Sequence, residues 1–203
     1  MISVIVPFVE DRGYLDHALE SLDAQTCQDY ELILSQSDNS AGYNFNRGVE
    51  KAKGEFIVYL CDDDLLINNS LETRQKFMKE SKVDFMHAKG YKLLNDTRLV
   101  EYGLTNPYAQ FNEVLKNNGI LGGSTMYRTD MLKQNLMDES LTTAEEWELH
   151  LRLLSKGYKL GFLNEFVYIY RIHSQQKSIG NMSPAYQEKR NEVKQMIRQK
   201  YDN

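Results

Sequence analysis

An α/β domain with a mostly parallel central sheet flanked by helices is what this sequence predicts, and three observations predict it. Short β-branched runs alternate with segments of 3.6-residue apolar rhythm from Ile2 to Ser81. The runs are continuously apolar rather than alternating, the pattern of strands covered on both faces. Clusters of turn formers separate each run from the helix after it, which implies right-handed crossovers in a doubly wound sheet.

The elements follow in order. Ile2 to Val6 reads as a buried strand stopped by Pro7. After the turn-forming Glu10-Asp11-Arg12-Gly13, residues Tyr14 to Ala24 carry Leu15, Ala18, Leu19 and Leu22 at helical spacing. Tyr30 to Ser35 reads as a second buried strand, followed by a loop dense in turn formers. Asn44 to Gly54 reads as a short helix, with Gly54 just past its end. Glu55 to Cys61 is the third strand, and a helix over Ser70 to Ser81 opens at Asn69 or Ser70. In such sheets ligands sit beyond the carboxyl ends of the strands, so Pro7 to Glu10, Ser37 to Ser40 and Asp62 to Asp64 are expected to converge on one crevice. At the other end of the chain, Ser183 at an N-cap and Pro184 at the first helical position predict a terminal helix.

Composition narrows the function classes. The chain has 203 residues, 41% of them hydrophobic, enough for one compact domain that buries roughly 70% of its unfolded surface. A net charge of -5 argues against a nucleic-acid-binding face. Cys27 and Cys61 lack disulfide or zinc spacing, so a cytoplasmic setting is expected. No window is apolar enough to span a bilayer, and Met1 to Asp11 lacks the basic segment of a signal peptide. The mixed charges of Glu188 to Asn203 read as a solvated amphipathic helix, with peripheral membrane contact as the alternative.

The third strand runs directly into Asp62, Asp63 and Asp64. These lie too early to cap the helix that starts near Ser70. Two carboxylates about 4 Å apart repel by roughly 1 kcal/mol in water and about 4 kcal/mol at an effective dielectric of 20, so a partly buried cluster needs a cation. Hard oxygen ligands favour Mg2+ or Mn2+, with remaining ligands drawn from water and substrate phosphates.

The segments SVIVPFVEDRGYLDHALESLDAQTCQDYELIL and NRGVEKAKGEFIVYLCDDDLL, then TTAEEWELHLRLLSKGY and YRIHSQQKS, together resemble family 2 glycosyltransferases of the GT-A fold over about Ile2 to Ser178. The resemblance implies a single domain over 1–203, with a nucleotide-binding half at 1–66, an acceptor and catalytic half at 67–180 and a terminal helix at 181–203. It implies inverting transfer of a sugar from a nucleotide sugar, with UDP favoured, to an acceptor hydroxyl on a glycan or glycoconjugate. Asp62 and Asp64 match the outer positions of the DXD motif, Asp64 as the direct ligand of a Mn2+ or Mg2+ that bridges the diphosphate and Asp62 nearer ribose or metal. Asp63 falls between them, on the donor. His173 matches a third metal ligand in several such enzymes, with an ordinary loop histidine as the other reading. The second acid of the family's ED pair is its general base; that is Glu146 here, with Glu145 beside it.

Pro7, Phe8, Val9 and Glu10 match the nucleobase side, and Asp38 a base-edge contact. The usual DDGS is replaced here by Ser35 to Ser40, so only Asp38 and Ser40 correspond. Asn46 and Arg47 match a segment near the diphosphate, and Gly122, Gly123 and Ser124 belong either to the sugar and acceptor wall or to a tight structural loop. The acidic pair has its own local account: Thr142-x-x-Glu145 and Thr143-x-x-Glu146 are capping-box patterns, opening a helix that carries Trp147, Leu151 and Leu154 and ends at Gly157. The competing functions are a nucleotidyltransferase or phosphatase using the same aspartates, and a noncatalytic metal-dependent sugar-binding module. Dinucleotide and P-loop readings fail for want of their glycine motifs.

Overall fold

A computed structural model describes residues 1–102, 110–176 and 184–202. Its elements are β1 (Ile2–Phe8), α1 (Leu15–Asp23), β2 (Tyr30–Gln36), α2 (Ala41–Lys51), β3 (Phe56–Tyr59), β4 (Leu65–Leu66), α3 (Ser70–Ser81), β5 (Phe85–Leu94) and β6 (Arg98–Glu101). The second half adds α4 (Phe111–Lys116), a 3-10 turn at Gly122–Ser124, β7 (Met126–Arg128), α5 (Thr129–Lys133), α6 (Glu145–Ser155), β8 (Leu160–Ile172) and α7 (Pro184–Tyr201). Ser183 and Ser178 lie outside the described residues.

One curled sheet runs β2-β1-β3-β7-β5-β8-β4, with β6 on β5. β1 pairs in parallel with β2 and β3, as the alternation predicts. The sheet is nonetheless mixed, because the short β7 enters antiparallel between β3 and β5. Two apolar layers sandwich it, one around Phe45, Ile57, Phe85, Tyr127, Leu149 and Leu151, the other around Val4, Val6, Val58, Leu71, Met86 and Tyr168.

Several local expectations are corrected. β1 continues through Pro7 to Phe8. Ile5 turns its carbonyl to Leu60, so Pro7, two residues on, faces the same side beyond the end of β3's register, where no ladder bond is lost. β2 is an edge strand rather than a buried one, with Leu32 and Leu34 exposed. α2 begins at Ala41 because Ser40 caps it, its hydroxyl accepting from Tyr43 N at 3.1 Å. Gly54 does not terminate that helix; a Cβ there would sit 2.6 Å from Ser3 N, so glycine is required for close backbone approach. Neither threonine caps α6, whose N-cap is Ala144 in the left-handed region at φ 60°. Gly157, at φ 83°, does end it.

Candidate functional site

The acidic triplet follows β3 directly, and β8 lies over it through the short antiparallel pair β4–β8. All three aspartates are buried, Asp64 completely. Arg12 lies across Asp62 and Asp63, one guanidinium nitrogen 3.0 Å from both Asp62 oxygens and 2.9 Å from Asp63 Oδ2. Burial lowers the Arg12 pKa, and the two carboxylates override it to a net rise. Asp64 accepts from the Tyr168 hydroxyl and from Arg171 N at 2.8 Å. Even so, burial and the neighbouring Asp63 charge hold its carboxyl well above the usual carboxylate range. Asp62 is also raised, by burial and by Asp63, against the pull of Arg12.

This is the electrostatic conflict expected of three adjacent acids, and it is only partly relieved by protein groups. The ligand atoms of Cys61, Asp63 and Asp64 lie within 4.8 Å of one another. His173 Nε2 is 3.1 Å from Asp63 Oδ2, with its ring 4.3 Å from that of Tyr14. The carboxylates and imidazole suit a hard divalent ion; the Cys61 thiol does not, since burial and the charges of Asp64 and Asp63 push its pKa well up. The carboxylates of Asp63 and Asp64 could together hold a divalent ion, whereas Asp62, the expected partner of Asp64, is engaged by Arg12, which also reaches Asp63.

Glu145 and Glu146 open α6 and line a cavity of about 510 Å³. The cavity is also lined by Pro7, Arg12, Tyr59, the three aspartates and Trp147. Glu146 lies against Gly122. Glu145 packs toward α2, its Cγ 3.5 Å from where a Cβ on Gly42 would stand.

Two adjacent glycines hold both sides in register. A Cβ on Gly122 would lie 2.0 Å from Glu146 Oε1, and one on Gly123 1.9 Å from Tyr168 Cζ. Gly122 is thus the seat of the Glu146 carboxylate and Gly123 the seat of the tyrosine that donates to Asp64. Ser124 is structural, its hydroxyl bonded to Ala88 N and O at 3.0 Å.

Other expected residues are placed elsewhere. Asn46 is buried and pins the segment before α6, donating to Met137 O and Glu139 Oε1 at 2.9 Å. Arg47 pairs with Glu50 and Glu139. Neither lines the cavity, because α2 turns both toward that segment. Phe8, Val9, Glu10 and Asp38 lie at the strand ends outside the cavity lining, Val9, Glu10 and Asp38 exposed. Phe8 O instead accepts from Asn44 Nδ2 at 2.9 Å.

Sequence reasoning missed Arg12, Tyr168 and Arg171. Arg171 donates to Asp63 O at 3.0 Å and pairs with Asp96 in the β5–β6 turn. It stands two residues before His173 in the quoted segment, so the signal was present without a role attached. Arg12 sat in a turn that composition explains fully, and Tyr168 in an ordinary strand pattern.

No protein-family model matches the chain. An uncharacterized glycosyltransferase of Methanocaldococcus jannaschii is 23% identical over 206 residues, 85% of this chain and 71% of that protein. A UDP-Glc:alpha-D-GlcNAc-diphosphoundecaprenol beta-1,3-glucosyltransferase of Escherichia coli is 24% identical over 145 residues, 59% of this chain and 57% of that one. The crystal structure of S. aureus TarS 1-349 in complex with UDP-GlcNAc superposes over 97% of this chain and 65% of that one, with a TM-score of 0.73 and 21% identity. The chain shares the fold of that glycosyltransferase structure and is similar in sequence to several proteins named as glycosyltransferases. The chain spans only 57% of the E. coli relative and 28% of another from Rickettsia bellii. Among the described residues no helix is long and apolar enough to cross a membrane.

Proposed function

We propose that this domain transfers a sugar, with inversion, from a UDP-sugar to a hydroxyl of a glycan or glycoconjugate, aided by Mg2+ or Mn2+. One observation carries the proposal: Asp62, Asp63 and Asp64 line the same cavity as Glu146. The UDP-GlcNAc complex of TarS and the UDP-Glc specificity in the name of the E. coli relative support a uridine donor. Residues 1–66 form the donor half in this reading, 67–180 the acceptor half, and 181–203 the terminal helix.

The acceptor oxygen attacks the anomeric carbon while the bond to the diphosphate breaks, and the acceptor proton passes to a glutamate carboxylate. Glu146, which lines the cavity and is seated against Gly122, is the base in this reading, with Glu145 beside it. Asp63 and Asp64, with His173 beside them, would hold the divalent ion, which when bound supplies charge opposing that of the departing diphosphate. Arg12 orients the Asp62 and Asp63 carboxylates. Tyr168 and the backbone of Arg171 fix the Asp64 carboxylate.

Calorimetry with UDP-glucose and UDP-GlcNAc, with and without Mn2+, tests the donor side. Metal-dependent binding is expected, and Asp64→Ala abolishes the dependence. Glu146→Gln keeps donor affinity and lowers transfer at least about 100-fold. Metal-independent donor binding, or full turnover in both the Glu145 and the Glu146 variants, overturns the proposal.

A further inference from the structure

The helix α7 places Arg190, Lys194 and Arg198 four residues apart along the cavity, after Tyr186 at the same spacing. The acids of this helix, Glu188 and Glu192, are exposed and do not line the cavity. Like charges at this spacing disfavour a helix by a few tenths of a kcal/mol per pair, so packing of α7 alone does not account for the stripe. Packing is supplied elsewhere, by the buried Val193 and Ile197 and by Glu148, which accepts from Lys200 Nζ and the Tyr201 hydroxyl at 2.7 Å each.

The three cations lack carboxylate partners: among the described residues none of them forms an ion pair. Arg190 Nε is buried without a hydrogen-bond partner. Burial and the charges of Arg190 and Arg198 hold the Lys194 pKa below its usual value. Arg198 lies 5.5 Å from the Trp147 ring and donates to Lys116 O at 3.3 Å. The stripe therefore borders α4 and the start of α6, the side of the cavity that carries Glu146, in a chain whose net charge is -5.

We infer that Arg190, Lys194 and Arg198 form an anion subsite that holds a phosphate ester of the acceptor beside the hydroxyl presented to Glu146. The inference rests on the transferase reading above and adds to it the chemical class of the acceptor. Guanidinium groups bind phosphate through paired N–H donors, and the stripe extends about 12 Å along the helix axis, longer than one small anion and suited to a sugar with its attached phosphate.

Glucose 1-phosphate and glucose serve as charged and neutral probes, titrated by calorimetry into protein saturated with UDP, so that the donor diphosphate site is already filled. The sugar phosphate is expected to bind at least about tenfold more tightly than glucose, and the preference to fade as salt is raised. Replacing the stripe with R190Q, K194Q and R198Q together removes the preference, while UDP affinity in a separate titration changes less than twofold. Lys194→Gln alone, which disturbs no packing contact, gives a smaller loss in the same direction, and Lys194→Arg restores it; these single variants decide the matter if the triple variant fails to melt cooperatively. Equal affinity for both probes in the parent overturns the subsite. A parallel loss of UDP affinity in the variants overturns it too, by assigning the stripe to the donor. Failure of UDP to bind the parent at all would instead strike the transferase reading, and binding of the sugar phosphate alone would then still report on the stripe.

Discussion

The acidic floor at the end of β3 and the outer wall made by α6 and α7 face each other across one cavity, yet different forces hold them. The floor is over-determined: Asp64 is locked by Tyr168 and Arg171, Asp62 and Asp63 by Arg12, and Tyr168 in turn is seated on Gly123. In the wall, α6 is anchored by its buried face at Leu149, His150 and Leu151, and α7 by Val193, Ile197 and the contacts of Lys200 and Tyr201 to Glu148. On the proposed function, the floor would set where the diphosphate departs and the wall would bound the acceptor side.

Neighbouring glycines offer the sharpest way to break that comparison. Gly123→Ala drives a methyl into the ring of the fully buried Tyr168. We expect a loss of about 3 kcal/mol or more in urea unfolding, with weakened metal-dependent donor binding. Gly122→Ala meets only the end of the Glu146 side chain, which can swing aside. Unfolding then changes by less than about 1 kcal/mol, while turnover falls about 100-fold because the carboxylate is displaced by roughly 1 Å. Equal stability losses at the two positions would erase the distinction between floor and wall.

The inner side of α6 contributes a pH dependence. His150 is fully buried, and its Nε2 lies 2.8 Å from the Tyr127 hydroxyl. Burial, and to a lesser degree His87, lowers its pKa to about 3. In the unfolded chain the imidazole takes up a proton near pH 6.5, so the unfolded state binds more protons throughout the window from about 6.5 down to about 3. Stability is therefore present above that window and lost as pH falls through it, by about 2 kcal/mol between pH 6.5 and 5. His150→Phe flattens the slope in urea titrations at the two pH values.

The smallest effect expected is at the wall's outer anchor. Glu148→Gln weakens the contacts to Arg152 and Lys200, lowering stability by roughly 1–2 kcal/mol. Hydrogen exchange should rise first in α7 and leave β1 and β3 protected. Uniform acceleration across the sheet would show that wall and floor open as one unit.

Legibility follows the range of the interactions. The strands and helices through Ser81 were readable because apolar periodicity and turn chemistry are local, and β1, α1 and α3 stand within a residue or two of their expected limits. The second half was less so: β7 has only three residues, too few for a period, and its antiparallel entry depends on the space left between β3 and β5. The site divides in the same way. Asp62, Asp63, Asp64, Glu145, Glu146 and His173 announce themselves by charge density, motif and family likeness; the five acids line one cavity and His173 lies 3.1 Å from Asp63. The capping boxes at Thr142 and Thr143 show the opposite, a local pattern overridden when Ala144 takes a left-handed turn to start α6.

By itself the sequence determined that an acid cluster ends a central strand, and hence that something cationic must approach it, because adjacent charges on a buried strand end conflict wherever the chain goes. Only the tertiary structure decided which cations do so. Arg12 and Arg171 come from distant parts of the chain, and Coulomb attraction depends on separation in space, which residue order alone does not specify.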